Sequence, residues 1–291
     1  MSEKICDHNR RAFIGTALAG SAFALAGVAT ARAATDVGRG RFGGEQLQVW
    51  SCGGLAEAMI PAHQLYEERS GAKITYTGAF AAALGKSLQG SATTDVFAGR
   101  VLSLAKALRE SDKMDYFKPL CFTSYILVTP KGNPGGIAGI EDLAKPGVRV
   151  AMAPDSSPPG GQAATVLLEK AGIAEAVMKN VANPGTCVQR TVSEVVTGKA
   201  DVMIVEKRIT RMAEFSGKLE SIEIPAKFFP PAPLTFTVGV MKSARNRSLA
   251  DDYVAFLISL EGQAYFERMG FIPAISKEGR QLVEKLGVKD V

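Results

Sequence analysis

Three cysteines, Cys52, Cys121 and Cys187, are of a type that could hold a ligand. Thiolates select soft ions such as Cu(I) and Zn(II), and by extension trivalent arsenic and similar metalloids. Three of them suit a pyramidal trivalent centre, and with Glu206 or His63 added they complete a four-coordinate zinc site. Cys52 and Cys187 each directly precede a helical stretch, and the positive end of a helix draws a thiol toward its thiolate. The plainer readings are a small buried hydrophobe for each, or a disulfide between two of them. His63 lies inside a helical stretch and reads as a surface or packing residue rather than a ligand. Glu206 alternatively forms an ion pair with Lys207, Arg208 or Arg211. There is no CxxC pair, no Ser/His/Asp constellation and no glycine-rich phosphate loop with Lys-Ser/Thr, so neither an enzyme nor a cofactor is expected.

The cysteines lie far apart in sequence, so only the fold can bring them together. Strands and helices alternate after residue 45. Leu47–Trp50 reads as a strand, Leu55–Arg69 as a helix in which Pro61 predicts a kink or a late start, Lys73–Thr77 as a strand and Ala81–Leu88 as a helix. Asp95–Ala98 is a short buried strand, a helix runs around Leu102–Glu110, and Phe122–Thr129 is the longest β-like run, opened by Cys121. The pattern repeats with strands at Gly147–Met152 and Asp201–Val205, helices at Ala163–Lys170 and Val188–Thr197, and a returning strand at Leu234–Met241. Helices at Asp251–Leu260, Glu261–Arg268 and Glu278–Lys285 close the chain. This alternation predicts an α/β protein of two lobes, each a mixed, mainly parallel sheet with flanking helices, joined by two crossing strands. Lobe I is expected over 46–124 plus 235–291 and lobe II over 125–234. In such sheets ligands bind beyond the carboxyl ends of strands, beside helix N-termini, which here is the cleft between lobes.

The 291 residues carry 34 Lys+Arg, 29 Asp+Glu and a net charge of +5, and are 46% apolar, a composition that excludes disorder, collagen and a polytopic membrane protein. Residues 1–33 read as a cleaved export signal. A polar start carries Lys4, Arg10 and Arg11, an apolar run follows to about Thr30, and Ala31-Arg32-Ala33 is an A-x-A cleavage site. The Arg10-Arg11 pair resembles a twin-arginine signal. Removing 33 of 291 residues leaves 258, and losing four basic and two acidic groups lowers the charge from +5 to +3, which is no nucleic-acid footprint. Cys6 leaves too, so three cysteines enter an oxidising compartment. Residues 34–45 read as a flexible Gly/Arg-rich leader.

Six segments carry a family resemblance in their order and spacing: Val49–Ala58, Asp95–Ala98, Leu127–Pro134, Gly139–Ala144, Gly198–Val202 and Ser259–Ala264. The chain resembles the molybdate-binding periplasmic proteins of ABC transporters, among the two-lobed solute-binding proteins. That resemblance implies periplasmic capture of a small inorganic ligand by a monomer, for delivery to a membrane permease or presentation to a sensor kinase. It also implies where the ligand sits. The family's serine in the first-strand loop falls on Gly54, beside Cys52 and Gly53; a second serine falls on Phe80; a tyrosine donor falls on Glu206. Val188 matches a backbone contact, and the loop through Ser157 and Gly160 faces the cleft. All three cysteines map near that cleft. With two hydroxyls and a phenol replaced, the cysteines point first to a thiophilic metal or metalloid on Cys52, Cys121 and Cys187, and the alternative is a molybdate- or tungstate-type oxyanion held by what remains.

Overall fold

A computed structural model describes residues 40–156, 160–228 and 235–290. The expected export signal, Ser157 and the return between the sheets at 229–234 lie outside these residues. The strands are β1 Gln46–Cys52, β2 Lys73–Ala79, β3 Val96–Arg100, β4 Met114–Phe122, β5 Tyr125–Pro130, β6 Val150–Ala151, β7 Val202–Glu206, β8 Leu219–Glu223, β9 Thr235–Met241 and β10 Ile272–Pro273. The helices are α1 Ala56–Ser70, α2 Ala81–Gln89, α3 Leu102–Glu110, α4 Gly160–Lys170, α5 Ala174–Lys179, α6 Val188–Val196, α7 Arg247–Leu257, α8 Leu260–Arg268 and α9 Lys277–Leu286.

Two sheets form. The larger has the order β10-β4-β9-β3-β1-β2 and the smaller β6-β7-β5-β8. Both are mixed. β2, β1 and β3 run parallel, as do β6 and β7, while β9 runs antiparallel to both neighbours and β5 antiparallel to β7 and β8. Alternating side chains feed a helical layer on each face. In β3, Val96 and Ala98 join the apolar cluster under α1, α7 and α8, and Phe97 joins the one under α2 and α3. In β7, Val202 and Ile204 pack with α4 and α5, and Met203 and Val205 with α6.

The run expected as a strand at Phe122–Thr129 takes in only the last residue of β4 and most of β5, and the rest of β4, Met114–Cys121, is not anticipated. β4 ends at Phe122, Thr123-Ser124 intervene, and β5 opens the second sheet. The composition is β-like throughout, so only the change of sheet reveals the break. Cys121 therefore lies near the end of β4 inside the larger sheet, facing Phe236, and does not open the crossing strand. The end of the expected leader is also ordered. Phe42 is buried in the core of the larger sheet, and the N–H groups of Gly40 and Phe42 donate to the carbonyls of Arg69 and Ser70 at the end of α1. One large aromatic ring outweighs the surrounding glycines. Among the described residues no helix is long and apolar enough to cross a membrane.

Candidate functional site

Three strands end at the junction of the two sheets: β1 in Cys52, β3 in Arg100 and β7 in Glu206. β3 is buried along its whole length, so Arg100 closes an otherwise apolar strand and remains buried itself. A buried guanidinium requires a counter-charge. Glu206 supplies it from the other sheet, with Arg100 Nη2 at 2.5 Å from Oε1. Arg208, in the helical turn just after β7, places Nε at 2.5 Å from the other carboxylate oxygen, Oε2. One carboxylate thus bridges two arginines, one oxygen to each.

The surroundings fix this arrangement. Arg100 Nη2 donates to the Tyr125 hydroxyl at 2.9 Å, and its guanidinium lies 5.3 Å over the Phe236 ring. The Tyr125 hydroxyl donates to Glu206 Oε1 at 3.4 Å. Arg208 Nη1 lies 3.6 Å from Glu57 Oε1 in the first turn of α1. Directly after Arg100 the backbone turns through Val101 at φ 81°, a conformation that strains a β-branched residue. Burial pushes the Glu206 carboxyl up, but Arg100 and Arg208 outweigh it and hold the group down at about 2. Burial likewise disfavours the Arg100 charge, and Glu206 reverses that effect.

The first-strand loop borders the network. Gly53–Leu55 forms a single 3-10 turn leading into α1. A Cβ on Gly54 would lie 3.6 Å from the Arg208 guanidinium, so this glycine forms the surface on which the arginine rests. Cys52 is buried at the same place. Desolvation raises its pKa, against the lowering effects of the Gly54 N–H and of Arg100 and Arg208. The expected pull of the helix end toward thiolate is therefore overruled by burial.

The three cysteines do not assemble. All are thiols. Cys52 and Cys121 belong to one apolar cluster of the larger sheet, and burial drives the Cys121 thiol well above the ordinary range. Cys187 occupies the position just before α6, beside the smaller sheet, and is half-buried. No group of three Cys, His, Asp or Glu side chains among the described residues stands close enough to hold a metal ion. The thiophilic site expected on Cys52, Cys121 and Cys187 is thus not formed in this conformation, because two thiols are buried in the core of the larger sheet and the third stands at the start of α6.

Other expected residues separate in the same way. Phe80 precedes α2 and is 63% exposed, so it covers nothing here. Val188 opens α6 and packs against the cluster beneath that helix. Gly160 is the first residue of α4. His63 is buried with its ring 4.9 Å from that of Tyr76 and 5.7 Å from that of Tyr253. Of the cations proposed for Glu206, Arg208 is a partner, while Lys207 pairs with Glu223. Sequence reasoning missed Arg100 and Tyr125, although a charge closing a buried strand was a legible signal. Two further hydroxyls, Thr123 in the crossing and Ser156 before α4, have buried oxygens with no hydrogen-bond partner.

Residues 47–272 match the family model described as bacterial extracellular solute-binding protein. The chain belongs to that family. This solute-binding protein is 24% identical over 234 residues to the molybdate-binding protein ModA of Mycobacterium tuberculosis, covering 79% of this chain and 85% of that one. It is 27% identical over 162 residues to the sulfate-binding protein of Synechococcus elongatus, covering 51% of this chain and 46% of that one. It therefore spans about half the length of that relative. In three dimensions it is similar to the periplasmic molybdate-binding protein of Azotobacter vinelandii, with a TM-score of 0.63 and 16% identity, covering 78% of this chain and 98% of that one. That likeness gives the two-lobed fold.

Proposed function

We propose that this solute-binding protein works outside the cytoplasm as a monomer, captures a small oxyanion at the junction of its lobes, and hands it to an ABC permease. One observation carries the reading: Arg100, from the larger sheet, and Arg208, from the turn that follows β7 of the smaller, both point at a single acceptor carboxylate at strand carboxyl ends. A pair of fixed guanidinium groups suits planar or tetrahedral anions, because each presents a fork of N–H donors. The Gly53-Gly54 turn lies against Arg208, and the partnerless hydroxyl of Thr123 lies in the crossing just before Tyr125. Relatives whose names specify molybdate and sulfate support the ligand class. Lobe I is proposed as 46–124 plus 235–291 and lobe II as 125–234. Titration calorimetry with molybdate, tungstate, sulfate and phosphate tests the reading. At least one oxyanion binds the wild type, and Arg208→Gln weakens it by about tenfold or more. Binding of none of them to the folded protein would refute it.

A second reading rests on Cys52, whose buried sulfur feels Arg100, Glu206 and Arg208 together. It assigns a trivalent metalloid to this thiol, with Cys121 and Cys187 recruited by lobe movement. Arsenite binding to wild type, Cys52→Ser, Cys121→Ser and Cys187→Ser decides it, since affinity unchanged from wild type in all three variants removes the reading.

A further inference from the structure

We propose that Glu206 is a built-in stand-in for the solute: its two carboxylate oxygens occupy the positions that two oxygens of an incoming anion take between Arg100 and Arg208, and the solute must displace it. This rests on the oxyanion reading above and makes Glu206 the residue that sets affinity and selectivity.

The geometry supplies the reason. Each oxygen of Glu206 serves one arginine, Oε1 on Arg100 and Oε2 on Arg208, both at 2.5 Å. Arg100 ends a strand of the larger sheet, while Glu206 ends β7 of the smaller and Arg208 follows it in the next turn, so the carboxylate ties the lobes together as a bound anion would. The side chain is only 8% exposed, and Arg100 and Arg208 are 7% and 17% exposed, so solvent screens the contacts little. An added anion cannot share this place with the carboxylate, because like charges at such distances repel strongly in a poorly solvated site. A displaced carboxylate cannot remain buried unpaired either, so it moves to solvent. The competition selects by shape. A solute with two oxygens on one centre reproduces both contacts, whereas a halide offers one point of contact. Glu57 limits the alternative for Arg208, since its Oε1 stands 3.6 Å away and already draws that guanidinium.

Two measurements test this with molybdate and sulfate as probes. The first is calorimetry on wild type, Glu206→Gln and Glu206→Asp, each checked for folding by circular dichroism. Glu206→Gln binds the oxyanion at least about tenfold more tightly than wild type, because the competing charge is gone. Glu206→Asp, which keeps the charge, gains less. Unchanged or weaker binding by Glu206→Gln overturns the proposal and leaves the oxyanion reading standing. No binding by any of the three folded proteins overturns both. The second measurement needs no variant: carbodiimide labelling of carboxyl groups in wild type, read by mass spectrometry. Glu206 is protected in the free protein and becomes reactive with saturating oxyanion, while chloride at equal ionic strength leaves it protected. Continued protection with oxyanion bound, or equal exposure by chloride, overturns the proposal.

Discussion

Cys52 lies beside two arginines, yet its thiol titrates above an ordinary cysteine because loss of hydration outweighs the charges around it. Cys121 is more deeply buried and shifted further in the same direction. Native-state alkylation near neutral pH therefore modifies Cys187 first, with Cys52 and Cys121 more than about tenfold slower, as mass spectrometry of timed samples will show. Comparable rates for all three would contradict the burial described here. His63 follows the same physics with the opposite sign. Burial lowers its pKa from 6.5 to about 4. The folded state then resists a proton that the unfolded chain accepts, so this contribution to stability is complete above pH 6.5 and is lost as pH falls toward 4. The shift corresponds to about 3 kcal/mol. Urea unfolding across that range should show the loss in wild type and a flatter profile in His63→Phe, which keeps a ring against Tyr76 and Tyr253. At this scale the sequence identified residues able to do chemistry, but not which of them the core would claim. Cysteine types and positions were visible, and the burial that neutralises them was not.

Most elements were legible because their periodicity and breakers were local. α3 spans Leu102–Glu110 as read, and α1 runs through Pro61. Short or non-local elements were not: β4, β8, β10 and α5 have no local signature in the sequence. A two-residue strand such as β10 exists only because β4 lies beside it. The start of α4 shows how closely an element can be seated. A Cβ on Gly161 would come nearer to the carbonyl oxygens of Ala153 and Pro154 than real side chains do. Gly161→Ala must push the helix start away from the strand-end loop. The expected result is a loss of about 1–3 kcal/mol in chemical denaturation, accompanied by weaker anion binding. An unchanged unfolding midpoint would show that the loop gives way instead.

Across the whole molecule, the alternation of strands and helices was enough to suggest two lobes, since it restates the layering of α/β sheets. The contact between them was not readable, because Arg100 and Glu206 are 106 positions apart and nothing local links them. The size of that contact can be measured. Glu206→Ala leaves two buried guanidinium groups without their shared partner and should lower stability by about 3–5 kcal/mol. Saturating oxyanion should restore part of the loss, seen as a larger rise in melting temperature than in wild type. Equal rises would mean that the arginines do not receive the anion.

β9 is the central antiparallel strand of the larger sheet, with all seven residues buried between β3 and β4. Its neighbours are made early in translation, but β9 follows the whole of the smaller sheet. At ordinary rates of chain synthesis the gap between β4 and β9 lasts on the order of ten seconds. Throughout that interval the nascent chain holds two apolar strands with open hydrogen-bonding edges and no partner to fill the space between them. Chains released before about residue 241 keep those edges open and are sticky intermediates rather than a stable half-protein.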